Sequence, residues 1–149
     1  MMTSEELDEL VASTRNAHPI WFMLDSDPPA RPELVDEVQR RLGIELPEQY
    51  RQFVQRYGGG QFGFTVVFSV EPGSEWNLET RNASIPVALR QADFVAVADN
   101  GVGDYYGFKT QNGKCESALW FLDHEDLATK RTRFSDLFEF IAEKGLRPA

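Results

Sequence analysis

Helical spacing of apolar residues begins near the N-terminus. Thr3 and Glu6 stand at the two positions of a capping box, which marks a helix start. The apolar positions after it repeat at intervals of three and four residues and predict a first helix from about Ser4 to Asn16. A proline-rich connector follows, in which we expect a short extended piece around Ile20 to Leu24. The inward positions of the first helix are Leu7, Leu10, Val11 and Thr14.

Two further helices are predicted, each beginning near a proline. The second begins at Pro32 and ends at Gly43, since glycine can adopt the left-handed conformation that stops a helix. The third begins at Pro47, presents an aromatic face and ends at the glycines 58–60. The inward positions of these helices are Leu34, Val35, Val38, Leu42, Tyr50, Phe53, Val54 and Tyr57.

The glycines open the stretch GGGQFG, residues 58–63, which fits the dinucleotide-binding pattern G-x-G-x-x-G, with Glu79 near the place of an acidic ribose ligand. That motif binds pyrophosphate where a strand enters the glycines and a helix leaves them, because the helix N-terminus supplies the N–H groups. In this sequence a predicted helix leads into the glycines. The segment after them, FGFTVVFSV, alternates with the period of two that is typical of a strand, and it predicts one strand. This order is the reverse of a nucleotide site, so we expect no nucleotide cofactor.

The second half of the chain predicts a sheet and a closing helix. Residues 71–91 show weak periodicity, and we expect a long excursion with one short strand. Three strands follow, FVAVAD, DYYGFKT and ESALWFLD, with turns at NGVG and QNGK; Asn112-Gly113 suits a type I′ turn. A polar link, HEDLATKRT, precedes a last helix with Ser135 as N-cap and Gly145 as terminator.

The order of these elements indicates the fold class. Helices come first, then hairpin-connected strands, then a helix, and such segregation favours an α+β fold over a doubly wound parallel sheet. We therefore expect a single domain over residues 1–149: a twisted, mostly antiparallel sheet flanked by N-terminal helices and a C-terminal helix.

Composition narrows the function classes. The formal net charge of -9 repels nucleic acid phosphates but would steer a basic partner, with a merely solvated surface as the simpler alternative. The N-terminus lacks the basic and apolar segments of a secretory signal, and no apolar run approaches a membrane span. The single cysteine, Cys115, excludes an internal disulfide and a multi-cysteine zinc site. These features favour a cytoplasmic protein.

One polar cluster offers residues that could carry chemistry. DHED, residues 123–126, places three carboxylates beside an imidazole, and these groups bind metals or move protons. Consecutive residues on one turn cannot all converge on one ion, and nothing links them to His18. Cys115 and His124 lie at opposite ends of a predicted strand, too far apart for a nucleophile and base. We expect a solvated acidic turn, with no catalytic residue, cofactor or metal; a small metal-dependent hydrolase that uses DHED and His18 is the least favoured alternative.

Exposed loops supply the candidates for partner binding. DNGVGD, residues 99–104, is a glycine-rich turn, and loop tips on a rigid scaffold often carry recognition. Trp76 stands out in the 71–91 excursion, and tryptophan is enriched at binding hot spots. The structural alternatives are a tight hairpin turn and a packing anchor. The candidate partner-binding residues are Trp76, Asp99, Asn100, Asp104, Asp123, Glu125 and Asp126.

These segments together resemble a known family. LGIELPEQYRQFVQRYGGG, then GVGDYYGF, then a strand ending in aspartate and the helix of FSDLFEF are similar to the Smi1/Knr4 family, also called the SUKH superfamily, from about Pro32 to Leu146. The family tends to have an asparagine before the glycine pair that closes the third helix, where this sequence has Tyr57 or a further glycine. The matching motif positions, whose role is structural, are Leu46, Pro47, Gly58, Gly59, Gly103 and Asp104.

The resemblance implies an α+β fold without catalytic activity. Bacterial members of this family are largely immunity proteins that bind and neutralise toxins, often nucleases, and fungal members resemble regulatory scaffolds in cell-wall synthesis. We therefore expect a non-catalytic domain that binds a protein, in the first place a basic toxin domain, and neither nucleic acid nor a membrane. A regulatory or scaffolding domain that binds a cellular partner without a toxin is the alternative.

Overall fold

The computed structural model describes residues 1–147, and its first element is helix α1, Ser4–Ala17. The predicted capping box is present: the Glu6 N–H donates to Thr3 Oγ1 and the Thr3 N–H donates to Glu6 Oε1, each at 3.1 Å. The connector holds a 3₁₀ turn, Pro19–Phe22, so the extended piece expected there is wrong. Local backbone bonds explain the difference, because the turn satisfies its own N–H groups without a neighbouring strand.

Helices α2, Pro32–Leu42, and α3, Glu48–Tyr57, agree with the prediction. Gly43 ends α2 in the left-handed conformation, with φ of 68°. Three glycines with positive φ follow α3, and a β carbon on Gly58 would lie 2.0 Å from the Asp27 carbonyl oxygen. Strand β1 starts within this cluster. The order helix, glycines, strand is therefore confirmed, and the glycines lead into no helix N-terminus that could bind pyrophosphate.

The segment after the glycines is a hairpin, so the single strand expected over FGFTVVFSV is wrong. Strand β1, Gly60–Phe62, pairs with β2, Thr65–Val67, in antiparallel register. Gly63 makes the turn with φ of 59°, and a β carbon there would lie 2.2 Å from the Gly145 carbonyl oxygen. That same oxygen accepts the Phe64 N–H at 3.0 Å, so a residue far along the chain fixes the turn.

The excursion over residues 71–91 holds helix α4, Leu78–Ala83, rather than the short strand expected there. Asn77 caps it by accepting the Thr80 N–H at 3.0 Å. The Asn82 side chain then donates to the Ala96 carbonyl and accepts the Ala96 N–H, both at 2.9 Å. These bonds attach α4 to the following sheet.

Four strands form the main sheet in the order β3-β4-β5-β6, every pair antiparallel. They are β3, Phe94–Asp99; β4, Tyr105–Gln111; β5, Lys114–Asp123; and β6, Ala128–Arg131. Asn112 and Gly113 have φ of 53° and 76°, as the predicted type I′ turn requires. Strand β6 lies where a polar link was expected. The prediction missed it because a short edge strand of polar residues gives no local sequence signal.

The C-terminal helix α5, Leu137–Ile141, begins one residue later than expected. Asp136, rather than Ser135, is the N-cap, since its buried carboxylate accepts the Glu139 N–H at 2.9 Å and the Met2 N–H at 3.0 Å. A π-helical turn, Ala142–Leu146, continues α5, so Gly145 lies within the last turn instead of ending the helix.

The core lies between the helices and one face of the sheet. Phe140 of α5 contacts Tyr106 of β4, and the Tyr50 hydroxyl of α3 donates to the Phe68 carbonyl at 2.6 Å. The Phe68 N–H donates to the Val97 carbonyl at 2.7 Å, which joins the first hairpin to β3. The predicted α+β fold with antiparallel sheets is thus confirmed. None of the helices described over residues 1–147 is long and apolar enough to span a membrane.

Candidate partner-binding surface

Two turns lie side by side at one end of the main sheet, because β4 and β5 are paired neighbours. They are the β3–β4 turn, residues 100–104, and the β5–β6 turn, residues 124–127. Asp104 joins them: one carboxylate oxygen accepts the His124 backbone N–H at 2.9 Å and lies 2.6 Å from His124 Nδ1. Its other oxygen accepts from the Asn100 amide at 2.8 Å. The buried Asp104 therefore uses both oxygens within the protein.

These bonds shift two pKa values in opposite directions. Burial by itself would raise the pKa of Asp104, but the His124 N–H, the Asn100 amide and the His124 ring stabilise the carboxylate and hold its pKa below the ordinary value. The hydrogen bond to Asp104 raises the pKa of His124. The pair consequently favours a carboxylate beside an imidazolium.

Lys130 neutralises two carboxylates of the DHED turn. Its ammonium lies 2.8 Å from Asp123 Oδ2 and 2.7 Å from Asp126 Oδ2. Hydrogen bonds from Lys130 and from the Glu125 N–H lower the pKa of Asp123. Glu125 is exposed and has no cation within 4.0 Å among residues 1–147. Within this turn, Glu125 is the carboxylate that remains available to a partner.

Asp104, Asp123 and His124 each offer one potential metal-ligand atom, and these atoms lie within 4.8 Å of one another. No other such group of three exists in the part of the chain described. Glu125 and Asp126 do not belong to it, and His18 stacks on Trp21 instead, with ring centroids 3.8 Å apart. The grouping considered from sequence, DHED with His18, is therefore not assembled.

Cys115 lies at the start of β5, while His124 follows the end of that strand, so the two do not form a nucleophile and base. The Cys115 thiol is buried, and burial, with the nearby Glu45 charge, raises its pKa to about 12. A thiol with so little thiolate at neutral pH is a packing residue.

A groove of about 470 Å³ opens beside the β3–β4 turn. The β1–β2 hairpin, the segment that enters α4, the β3–β4 turn and the end of α5 form its walls. Three predicted binding residues line it, namely Trp76, Asp99 and Asn100. The other four, Asp104, Asp123, Glu125 and Asp126, lie outside it on the two adjoining turns or beneath them.

Trp76, Arg81 and Asp99 form one wall of the groove. The Arg81 guanidinium lies 4.5 Å from the centre of the Trp76 ring and 3.6 Å from Asp99 Oδ2. Trp76 also packs against Gly60, where a β carbon would lie 3.1 Å from Trp76 Cδ1. Trp76 is thus both a packing anchor for its loop and a half-buried wall of the groove.

Phe64, at the tip of the β1–β2 hairpin, also lines the groove, with 56% of its surface exposed. Trp21 packs edge-on against it, with ring centroids 4.9 Å apart. Sequence reasoning missed Phe64 as a site residue because the alternating pattern placed it inside a strand; Gly63 before it was the available signal. Further groove residues that were not predicted are Arg81, Tyr106 and Lys144.

The motif residues lie in buried positions, in turns and at the ends of helices. Leu46 is buried, and Pro47 precedes α3. Gly59 and Gly103 have φ of 118° and 100°, conformations that favour glycine. A β carbon on Gly103 would lie 3.4 Å from the His124 ring, so Gly103 lets the two turns approach each other.

The comparisons with known proteins identify the family and support the fold. The family model SUKH_6, described as SMI1-KNR4 cell-wall, matches residues 32–141, and the chain belongs to this family. The fold is also similar to the crystal structure of a protein from Pseudomonas syringae pv. tomato, with a TM-score of 0.72 and 13% identity over 95% of this chain and 99% of that chain. A search of the curated proteins finds no match.

Proposed function

We propose that this chain is a non-catalytic, cytoplasmic immunity protein that binds a basic toxin domain through the groove and the adjoining acidic turns. The observation that carries the proposal is the groove itself, where an exposed aromatic ring, Phe64, lines the same open cleft as Trp76 and Arg81. Aromatic and arginine side chains in such positions are the residue types that dominate binding energy at protein interfaces. Membership of the SUKH family supports the same class of function.

The acidic turns beside the groove support a basic partner. Asp99 is paired with Arg81, and Asp123 and Asp126 are paired with Lys130. Exposed ion pairs contribute little stability, so a partner's lysine or arginine can compete at small cost for Asp126, which is half exposed, whereas Asp99 and Asp123 are mostly buried. Glu125 is not paired with a cation among residues 1–147, so a partner's cation can bind it without displacing another. A nuclease presents cations to phosphates, and an acidic surface would steer its encounter with this protein.

Co-expression tests the proposal directly. The chain is expressed with each toxin domain encoded near its gene, and growth and complex formation are measured. Rescue of growth by the wild-type protein supports an immunity function. Failure of every neighbouring toxin domain to bind would overturn it and favour a partner without toxin activity.

Two variants that remove the groove's aromatic side chains, Phe64→Ala and Trp76→Ala, locate the interface. We expect each to weaken binding of the rescued toxin by about tenfold or more, as loss of a hot-spot side chain does. Val87→Ala is the matched control, because Val87 is 78% exposed and lies outside the groove. Equal affinities for all three variants would place the interface elsewhere.

Charge variants test the acidic turns separately. Four substitutions made together, Asp99→Asn, Asp123→Asn, Glu125→Gln and Asp126→Asn, should slow association at low salt and flatten its salt dependence. Asp104 is left intact because it holds the turns. The control makes the same charge change on exposed acids of α1 and α2: Glu5→Gln, Glu9→Gln, Glu33→Gln and Asp36→Asn. Equal rates for the two sets would show that the turns have no special role in steering.

A further inference from the structure

The outer edge of β6 is open in the described part of the chain. Strand β6 is last in the sheet order, and β5 is its paired neighbour. The Thr132 N–H donates to the Leu119 carbonyl. Because backbone groups alternate along an antiparallel ladder, Lys130 also directs its N–H and C=O groups toward β5. Thr129 and Arg131 therefore direct their N–H and C=O groups outward. An extended segment of a partner could pair with these four groups.

Arg131 is the basic side chain at this edge that contacts an aromatic ring. Arg131 lies directly across the β5–β6 ladder from Trp120, and its guanidinium is 5.3 Å from the centre of the indole ring. The Lys109 ammonium of β4 lies 4.4 Å from the same ring. Neither Arg131 nor Lys109 has a carboxylate within 4.0 Å among residues 1–147. Because Lys109 belongs to β4, two strands inside the edge, and Lys130 is paired with Asp123 and Asp126, Arg131 is the cation that an added strand would meet there, in a chain whose net charge is -9.

The charge of Arg131 selects among the segments that can pair with β6. A second copy of the same edge would bring Lys130 and Arg131 against their like charges, which is how edge strands avoid pairing with themselves. A strand with acidic side chains would instead place a carboxylate next to Arg131, and opposite charges on neighbouring strands stabilise the pair.

We propose that the β6 edge binds an extended acidic segment of a partner protein by strand addition, with backbone bonds to Thr129 and Arg131 and a carboxylate beside Arg131. This edge lies outside the groove and begins directly after the acidic β5–β6 turn, and the proposal does not depend on the proposed immunity function. It gives an acidic protein a site for an acidic peptide.

Fluorescence anisotropy with short labelled peptides tests this proposal. The probe is a capped peptide of alternating glutamate and valine, and we expect it to bind the full chain saturably. The same peptide with lysine in place of glutamate should not bind. A glutamate peptide with N-methyl groups on alternate backbone nitrogens, which cannot pair along an edge, should also fail. Binding of the lysine or the N-methylated peptide equal to that of the probe, or no saturable binding of the probe, would overturn the proposal.

Variants of the edge give a second measurement. Thr129→Pro removes an outward N–H and should weaken binding of the glutamate peptide by about tenfold, whereas Thr129→Val keeps the N–H and should leave it within about twofold. Arg131→Glu should also weaken binding by about tenfold, and the matched control is Arg40→Glu on α2, an exposed site with the same charge change. Circular dichroism verifies that each variant folds. The wild-type chain could instead dimerise, and Thr129→Pro could abolish the dimer. That result would show that the edge binds a second copy of the chain and would overturn the proposal of an acidic partner segment.

Discussion

His124 and Asp104 are 20 positions apart in sequence, yet His124 approaches one Asp104 oxygen twice, through its backbone N–H at 2.9 Å and through Nδ1 at 2.6 Å. This double contact links the β3–β4 turn to the β5–β6 turn. It has consequences for pH dependence and for stability that can be measured separately.

The first prediction concerns the pKa of His124. Because the hydrogen bond to Asp104 raises this pKa, Asp104→Asn should lower it, and an NMR titration of the imidazole measures the change. By linkage, a raised histidine pKa stabilises the fold fully below the unfolded-state value of about 6.5, and this contribution is lost as the pH rises through the folded-state pKa. The His124→Gln variant should therefore be less stable than wild type mainly at pH values below the folded-state pKa of His124. An unchanged His124 pKa in Asp104→Asn would contradict the model of the pair.

The second prediction concerns the stability that Asp104 supplies. Asp104→Ala removes a charged acceptor from two partly buried hydrogen bonds, those of the His124 N–H and the Asn100 amide, and we expect the free energy of unfolding to fall by about 1–3 kcal/mol. Glu125→Ala on the same pair of turns should change it by no more than about 0.5 kcal/mol, because Glu125 is exposed. Urea unfolding measures both values. Equal losses would show that the buried carboxylate is not the link between the turns.

A third prediction tests the hairpin that presents Phe64. Gly63 and Gly73 both have positive φ, 59° and 77°, but a β carbon meets the Gly145 carbonyl oxygen at 2.2 Å only at Gly63 and meets nothing within 4 Å at Gly73. Both alanine variants incur backbone strain, and Gly63→Ala should be less stable than Gly73→Ala by about 2 kcal/mol or more. Thermal and urea unfolding of the pair provide the measurement. Similar stabilities would mean that α5 and the hairpin can separate at little cost.

The fourth prediction uses Cys115 as a reporter of unfolding. Burial raises the pKa of its thiol to about 12, so the folded protein at pH 8 holds very little thiolate. Reaction with an aromatic disulfide reagent, followed by absorbance, should be about 100-fold slower in the folded protein than in denaturant. Rapid reaction of the folded protein would show that the start of β5 opens readily.

Elements with local signals were predictable from the sequence. The capping box of α1, the glycine stop of α2 and the Asn112-Gly113 turn each depend on residues only a few positions apart. Helix α4 also has a local signal, since Asn77 has the side chain of an N-cap. The weak periodicity of the residues after Asn77 meant that the helix was not predicted. The SUKH family assignment likewise came from contiguous motifs.

Only the tertiary structure decided the arrangement of the site. The groove collects residues from four separate segments, and its hairpin turn depends on the Gly145 carbonyl. Strand β6 exists because β5 supplies its hydrogen-bond partners, and the polar composition of β6 gives no sign of this. Capping, turn and periodicity signals act within a few residues along the chain. Hydrogen bonds between distant residues, such as that from Phe64 to Gly145, form only after the chain has folded, so sequence alone named Trp76 and Asp99 but not the cleft that they share.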